Sequence, residues 1–306
     1  MNLWQNYIRP KNLTEAMDAF ANAPRPLAPL AGGTDLLLDL EQGRHAPVQT
    51  LIDVTSIAEL SLLELRGYEL FVGAAVPVNR IVHNPLTAQH AQALVEACDL
   101  IAGPQVRNVA TLGGNVAHAL PAADGTIALL ALDAQAEIAS FAPIAVPSEA
   151  PAAVLGGVAT RRIPFKELFL GPGKSSLKHG EEIIVGFCVS LSTPHQASCF
   201  KRIMRPQGVA LPIINLAIWL ERLEDKISQI RIAVGPGGPT PWSATQAEKA
   251  LLGKPLNDET FDAAVEALLA QVGFRSSARR ASSDYRRHIV TGLFKDVLET
   301  AWQRAA

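Results

Sequence analysis

Residues 26–40 read PLAPLAGGTDLLLDL, and residues 108–140 read NVATLGGNVAHALPAADGTIALLALDAQAEIAS. In the first stretch a short apolar strand runs into the glycine pair Gly32–Gly33. A helix is predicted from Thr34 to about Gln42, with Gly43 as its C-terminal stop. Thr34 suits the N-cap and Asp35 the first turn, where the helix dipole favours a carboxylate. LTEAMDAFAN at 13–22 puts apolar Leu13, Met17 and Phe20 on one helical face, and TLIDVT at 50–55 reads as the next strand. The first 55 residues thus form one β-turn-α-β unit. The second stretch predicts a strand, a glycine turn at Gly113–Gly114, a polar loop, an apolar helix and a strand.

Glycine after a strand does two things. It permits positive φ, and it lets main-chain N–H groups approach a ligand with no Cβ in the way. Convergent N–H groups make a seat for a pyrophosphate, and the hydroxyls of Thr34 and Thr111 and the amide of Asn115 can add side-chain hydrogen bonds. One glycine pair is ordinary turn chemistry. Two of them, each flanked by hydroxyl or amide residues, point to a dinucleotide.

Outward from these turns, ELFVGAAV at 69–76 reads as a strand and Leu86 to Ala102 as a helix. Residues 141–160, rich in Ala, Pro and Gly without a period, predict an exposed, mobile loop insertion. RRIPFKELFLGPGKSSLKHGEEIIVGFCVSL at 161–191 closes the first large unit. After about residue 195 the pattern changes to strands, CFKRIM, ALPIINLAIWLE and KISQIRIAVG, followed by helices at 243–252, 258–271 and 283–303. Strands followed by helices imply a separate α+β domain.

The chain has 306 residues, 48% hydrophobic and 18% charged, with a net charge of −2. An average globular protein is ~25% charged. That balance excludes general disorder and calls for neither nucleic acid nor an anionic membrane as the main partner. The longest apolar run, Val209–Leu220, is interrupted by Pro212 and Asn215, and it falls short of the ~20 residues a membrane span needs. The opening MNLWQNYIRPKNL lacks the basic head and apolar block of a secretory signal, so a cytoplasmic protein is expected.

Several chemistries lack their motifs. Cys98, Cys188 and Cys199 form no CxxC pair, and the seven histidines form no HxxxH or HExxH. GxSxG is missing, as is the GxGxxG fingerprint. GPGKSS at 171–176 would need glycine at 168 to be a P-loop, and Leu168 stands there. A bound organic cofactor is therefore expected to carry the chemistry, with no catalytic side chain and no metal ligand in this chain. Arg275, Arg279, Arg280, Arg286 and Arg287 cluster as a docking surface for a partner or an anionic acceptor, or as a solvated helix end.

LAGGTDLLLDL, IDVTSI, VGAAVPVNRI, QVRNVATLGGNVAHALPAAD and RRIPFKELFLGPGKSSLKHGEEII, in that order, resemble the FAD-binding medium subunit of the molybdenum hydroxylases. That family includes xanthine dehydrogenase, aldehyde oxidoreductase and carbon monoxide dehydrogenase. RIAVGPGGPTPWSATQAEKALLG at 231–253 resembles its C-terminal domain.

The resemblance implies an α+β fold: an FAD-binding domain of the vanillyl-alcohol-oxidase type over residues 1–190, in two α/β subdomains (about 1–56 and 57–190). A C-terminal α+β domain of antiparallel sheet and helices would occupy 191–306. Main-chain N–H groups of Leu30, Ala31, Gly32, Gly33, Thr34, Asp35 and Leu36 would wrap the FAD pyrophosphate. Ala102, Ala110, Thr111, Gly114 and Asn115 would form the second wall. Asp124 would accept from the ribose or the adenosine end, Ile184 would pack on the cofactor, and Lys201 would reach it from the second domain. By residue chemistry alone, Asp124 reads equally as a helix N-cap, Ile184 as core, Lys201 as a solvated strand lysine and Asp35 as a dipole-stabilising residue.

The implied role is an electron-transfer subunit. A large subunit with a molybdenum cofactor would oxidise the substrate, and a small subunit with two [2Fe–2S] clusters would relay the electrons. The FAD here would pass them to NAD+, oxygen, a quinone or another acceptor. The expected assembly is a heterotrimer able to dimerise, without nucleic acid or membrane insertion. The alternatives are a stand-alone flavin oxidase or dehydrogenase on the same fold, and a cofactor-free assembly subunit. Some relatives carry a cysteine-rich insertion for a [4Fe–4S] cluster, whereas residues 141–160 contain no cysteine.

Overall fold

The computed structural model describes residues 2–141, 153–155, 157–205, 211–278 and 280–306. The chain opens with a three-stranded parallel sheet in the order Asn6–Ile8, Thr50–Asp53, Leu27–Leu30. Helix Leu13–Asn22 lies where the apolar period placed it. Asn12 caps it by accepting from Glu15 N at 2.8 Å, and Ala16, Met17, Ala19 and Phe20 are buried. Helix Leu36–Glu41 is shorter than expected: its N-cap is Asp35, not Thr34, and no side chain caps it. Gly43 ends it with φ +69°.

The second unit is a six-stranded antiparallel sheet. Its order is Leu63–Arg66, Glu69–Gly73, Glu182–Ser190, Gln135–Phe141, Val158–Pro164, Ala153–Leu155. Four expectations need correction here. The helix expected over 86–102 is two helices, Pro85–His90 and Gln92–Asp99, broken at Ala91. Ser192 Oγ donates to His90 O at 3.0 Å there, a tertiary bond that supports the break. Residues 108–111 are not a strand; Thr111 makes only an isolated bridge with Pro77. Gly113–Gly114 lie inside helix Leu112–Ala117, because Thr111 Oγ1 accepts from Gly114 N at 3.1 Å and starts a helix at once. Within 141–160, the strands Ala153–Leu155 and Val158–Pro164 pair as a hairpin, with Gly157 at φ +85° supplying the turn. Residues 142–152 of that expected loop lie outside the described residues.

The third unit is the antiparallel sheet Gln196–Met204, Pro212–Leu223, Lys226–Gly235, Trp242–Ser243. Alternation along Pro212–Leu223 decides what each face meets. Leu216, Ile218 and Leu220 pack with Val290, Phe294, Val297 and Leu298 of helix Ser283–Arg304. Ala217 and Trp219 join the core of the N-terminal units. Helices Gln92–Asp99 and Asp124–Ala131 lie on that second face. The C-terminal sheet is therefore sandwiched between its own helices and the unit that carries the glycine turns.

Candidate cofactor-binding site

The two glycine pairs are brought together, and their members do different jobs. A Cβ on Gly32 would lie 2.0 Å from Val109 O and 2.9 Å from Ala110 Cα, so the 31–35 turn rests backbone on backbone against 109–110. A Cβ on Gly113 would lie 2.5 Å from Ala74 O, to which Gly113 N itself donates at 2.9 Å. These two glycines allow close packing. Gly33 has φ +69°, and Gly114 is exposed, its added Cβ meeting only Thr111 Oγ1 at 3.2 Å.

The donors differ as well. Among the described residues, the main-chain N–H groups from Gly32 through Leu36 have no acceptor. At the second turn every N–H is used. Leu112 N donates to Val76 O (3.3 Å), Gly113 N to Ala74 O, Gly114 N to Thr111 Oγ1 and Asn115 N to Thr111 O (3.0 Å). Unpaired main-chain N–H groups are therefore a feature of the first turn and not of Leu112–Asn115. What the second offers is the exposed Gly114 surface and the Asn115 side chain, whose buried Oδ1 has no partner.

Residues absent from the sequence reasoning support these segments. His118 Nδ1 stands 4.0 Å from Asp35 Oδ2, joining the two turns at their rim. Ala102 sits at φ +47°, and Arg107 Nη1 donates to Ala102 O at 2.9 Å and Ile101 O at 3.2 Å. An alanine in the left-handed region costs ~1 kcal/mol or more, so Arg107 is what keeps the 101–102 carbonyls in that turn. Leu30 is buried in a small cluster with Ala28, Val48 and Leu51, against which Leu36 packs.

Asp124 makes its side-chain contacts with the C-terminal sheet. It is the first residue of helix Asp124–Ala131, whose N-cap is Ala123 with no side-chain bond. Its carboxylate turns to the C-terminal sheet: Arg202 Nη1 donates to Oδ2, and Asn215 Nδ2 donates to Oδ1 at 2.7 Å and to Ala122 O at 3.1 Å. Burial pushes the Asp124 carboxyl up to about 6, outweighing the opposing pull of Arg202 and Asn215.

Ile184 is a buried core residue, beside a register shift in strand Glu182–Ser190. Lys201 does not join the other candidates. Its Nζ donates to Asp296 Oδ1 at 2.6 Å and Thr300 Oγ1 at 3.1 Å, on the sheet face covered by helix Ser283–Arg304. Arg202, one residue on, is the cation that points to the glycine-turn unit. Of the arginine cluster, Arg286 is neither solvated nor free. It is buried, with Nε donating to Ile213 O at 2.9 Å and Nη1 to the carbonyls of Arg275 and Ala281. Arg279 lies outside the described residues.

Residues 3–189 match the model of the FAD binding domain in molybdopterin dehydrogenase. The chain belongs to that family. Residues 198–301 match the CO dehydrogenase flavoprotein C-terminal domain. A xanthine dehydrogenase FAD-binding subunit from Escherichia coli O157:H7 is 32% identical over 97% of this chain and 95% of its own length. A nicotinate dehydrogenase FAD-subunit from Eubacterium barkeri is 26% identical over 94% and 93%. Among solved structures, a carbon monoxide dehydrogenase from Hydrogenophaga pseudoflava superposes with a TM-score of 0.87 at 27% identity, covering 99% of this chain and 98% of that one. The chain is thus an oxidoreductase subunit, an FAD-binding domain followed by the family's C-terminal domain.

The residues present fit FAD. A pyrophosphate accepts hydrogen bonds and donates none, which matches the free N–H run at Gly32–Leu36. The Asn115 side chain stands next to the exposed Gly114, with its Oδ1 buried against Gly125. Among the described residues no group of His, Cys, Asp and Glu converges as a metal site, and no helix is long and apolar enough to cross a membrane.

Proposed function

We propose that this chain is the flavin-carrying exit of a molybdenum hydroxylase complex. Gly32 through Leu36 would hold the FAD pyrophosphate, with Leu30 and Ala31 leading the strand into the turn. Ala110, Thr111, Gly114 and Asn115 would form the facing wall, and the Ala102 turn would flank it. The division of labour places a molybdenum cofactor in a large partner subunit and two [2Fe–2S] clusters in a small one. When bound, FAD supplies the step between one-electron donors and a one- or two-electron acceptor: NAD+, oxygen, a quinone or another molecule. This chain's own residues bind and orient; no side chain here has to move a proton on the substrate. Residues 1–190 would form the FAD domain, with subdomains at about 1–56 and 57–190, and 191–306 the C-terminal domain. A cytoplasmic heterotrimer is the assembly that suits this reading.

The observation that carries it is the run of free main-chain donors from Gly32 through Leu36, pressed against Val109–Ala110. The test is an absorbance spectrum of the purified chain, with identification of any released flavin, followed by metal analysis of the natively purified complex. Bound or readily taken-up FAD together with iron and molybdenum in the complex supports the reading. A colourless chain that fails to quench added FAD fluorescence overturns it. Turnover by the isolated chain, free of iron and molybdenum, would transfer the assignment to a self-contained flavin oxidase.

A further inference from the structure

Arg202 and Asn215 are direct cross-strand partners in the C-terminal sheet, and both reach out of it to the same carboxylate. Asn215 is fully buried and backs onto Gly235, where an added Cβ would fall 2.3 Å from Asn215 Oδ1. No larger residue at 235 leaves room for that amide. The Arg202 and Asp124 side chains are 6% and 5% exposed, so this ion pair is desolvated on both sides. Such a pair is costly to build and costlier to break, since removing one partner leaves the other as an uncompensated buried charge.

The contact continues to the candidate cofactor wall. Asn215 also holds Ala122 O, so the C-terminal sheet grips the entry of helix Asp124–Ala131 at two points. The next residue, Gly125, lies so close to helix Leu112–Ala117 that a Cβ there would be 2.8 Å from Leu112 Cδ1 and 2.9 Å from Asn115 Oδ1. Asn115 is a residue of the wall assigned above to the cofactor, and its buried Oδ1 is the atom that faces Gly125. Any shift of the 122–125 backbone is therefore transmitted to Asn115 by contact.

We propose that Arg202 and Asn215 are positioning residues for FAD. By gripping Ala122 and Asp124 they fix helix Asp124–Ala131, and through Gly125 they hold Asn115 in its place in the wall. FAD affinity is then set across the interface between the C-terminal sheet and the glycine-turn unit. The proposal rests on the FAD reading above, and Asp124 is the keystone between the two parts.

The experiment is FAD titration of the full chain, followed by flavin fluorescence quenching and the visible circular dichroism of the bound ring. Wild type, Arg202→Met, Arg202→Lys, Asn215→Ala and a control, Leu298→Ala, are compared. Leu298 is buried in the apolar cluster on the far face of the sheet, with Leu216, Ile218 and Leu220, so its truncation is the control for lost stability alone. Arg202→Met and Asn215→Ala should weaken FAD by roughly tenfold or more, the scale on which loss of a supporting shell is felt, and should alter the flavin dichroism. Arg202→Lys should recover part of the affinity, because it keeps the charge and loses the fork. Leu298→Ala should bind as wild type does. An unchanged affinity in Asn215→Ala and in a folded Arg202→Met would overturn the proposal. So would a loss in Leu298→Ala matching theirs, since affinity would then track stability alone. If Arg202→Met does not fold, Asn215→Ala and Arg202→Lys carry the comparison. Wild type that takes up no FAD refutes the cofactor reading itself, a different result from wild type and variants binding alike.

Discussion

Gly32→Ala tests whether the cofactor turn and residues 109–110 lie backbone on backbone. The new methyl would sit 2.0 Å from Val109 O, 2.6 Å from its carbonyl carbon and 2.9 Å from Ala110 Cα. Ordinary contact begins near 3.4 Å, so one segment has to retreat by more than an ångström. Neither is free to do so. Ala110 N donates to Val106 O at 2.7 Å, and Ala110 O accepts from Val78 N at 2.9 Å, which ties the segment to helix Pro104–Arg107 and to the start of helix Val78–Val82. Overpacking against side chains costs ~1–3 kcal/mol, and against pinned main chain the upper end applies, about 3 kcal/mol. For a chain of 306 residues, with an unfolding entropy of roughly 2.1 cal/mol/K per residue, that is a fall in Tm of about 5 °C. Gly114→Ala is the matched comparison: its methyl meets only the Thr111 hydroxyl at 3.2 Å, in a helix where alanine is preferred to glycine by up to ~1 kcal/mol. Its melting should stay close to wild type while FAD affinity drops, because the methyl enters the exposed surface assigned to the cofactor. Thermal melts and FAD titrations of the two variants decide the matter. Gly32→Ala melting with wild type would refute the close approach, and Gly114→Ala binding FAD unchanged would remove Gly114 from the wall.

Three further outcomes follow from single residues. The Asp124 carboxyl is raised to about 6 against an unfolded value near 3.8, so the folded state holds its proton more tightly. Its contribution is therefore full below about pH 4 and is lost as pH rises through 6, a change of about 3 kcal/mol at most. Urea melts from pH 4 to 7.5 should show wild type losing stability relative to Asp124→Asn across that window, and a constant gap would refute the shift. Arg286→Met strands the carbonyls of Ile213, Arg275 and Ala281 and should cost ~2–4 kcal/mol in a urea melt; a change no larger than at an exposed site would return Arg286 to the solvated surface. Lys201→Met should leave FAD affinity unchanged, because the ammonium is held by Asp296 and Thr300 on the far side of the sheet. A marked loss of FAD would restore Lys201 to the cofactor site.

What could be read in the sequence follows the range of the interaction that decides each element. Helix Leu13–Asn22 and strand Pro212–Leu223 are written locally, in an apolar period and in a run rich in isoleucine and leucine, and both formed where the pattern put them. Strand Asn6–Ile8 carries no local signal, because it is three residues long and mostly exposed, held by its pairing with residues more than forty positions away. The break at Ala91 depends on Ser192, and no period inside 86–102 signals it. At the second glycine pair the deciding signal is local: Thr111 followed three residues later by Gly114 is a capping arrangement, and it starts a helix.

The same distinction separates the two halves of the candidate site. The free donors at Gly32–Leu36 belong to one continuous stretch, so glycine, threonine and aspartate in sequence were enough to find them. The support of the opposite wall was not, since Arg202 and Asn215 stand 78 and 91 residues from Asp124. Nothing in FKRIM or PIINL marks an arginine and an asparagine as cross-strand partners until the register is known. Once it is, alternation decides the rest: in Lys201–Arg202 one cation is turned to the C-terminal helix and the next to the cofactor side. A resemblance found by motif favours the lysine and the geometry favours its neighbour, and the FAD affinities of Lys201→Met and Arg202→Met measured side by side choose between them.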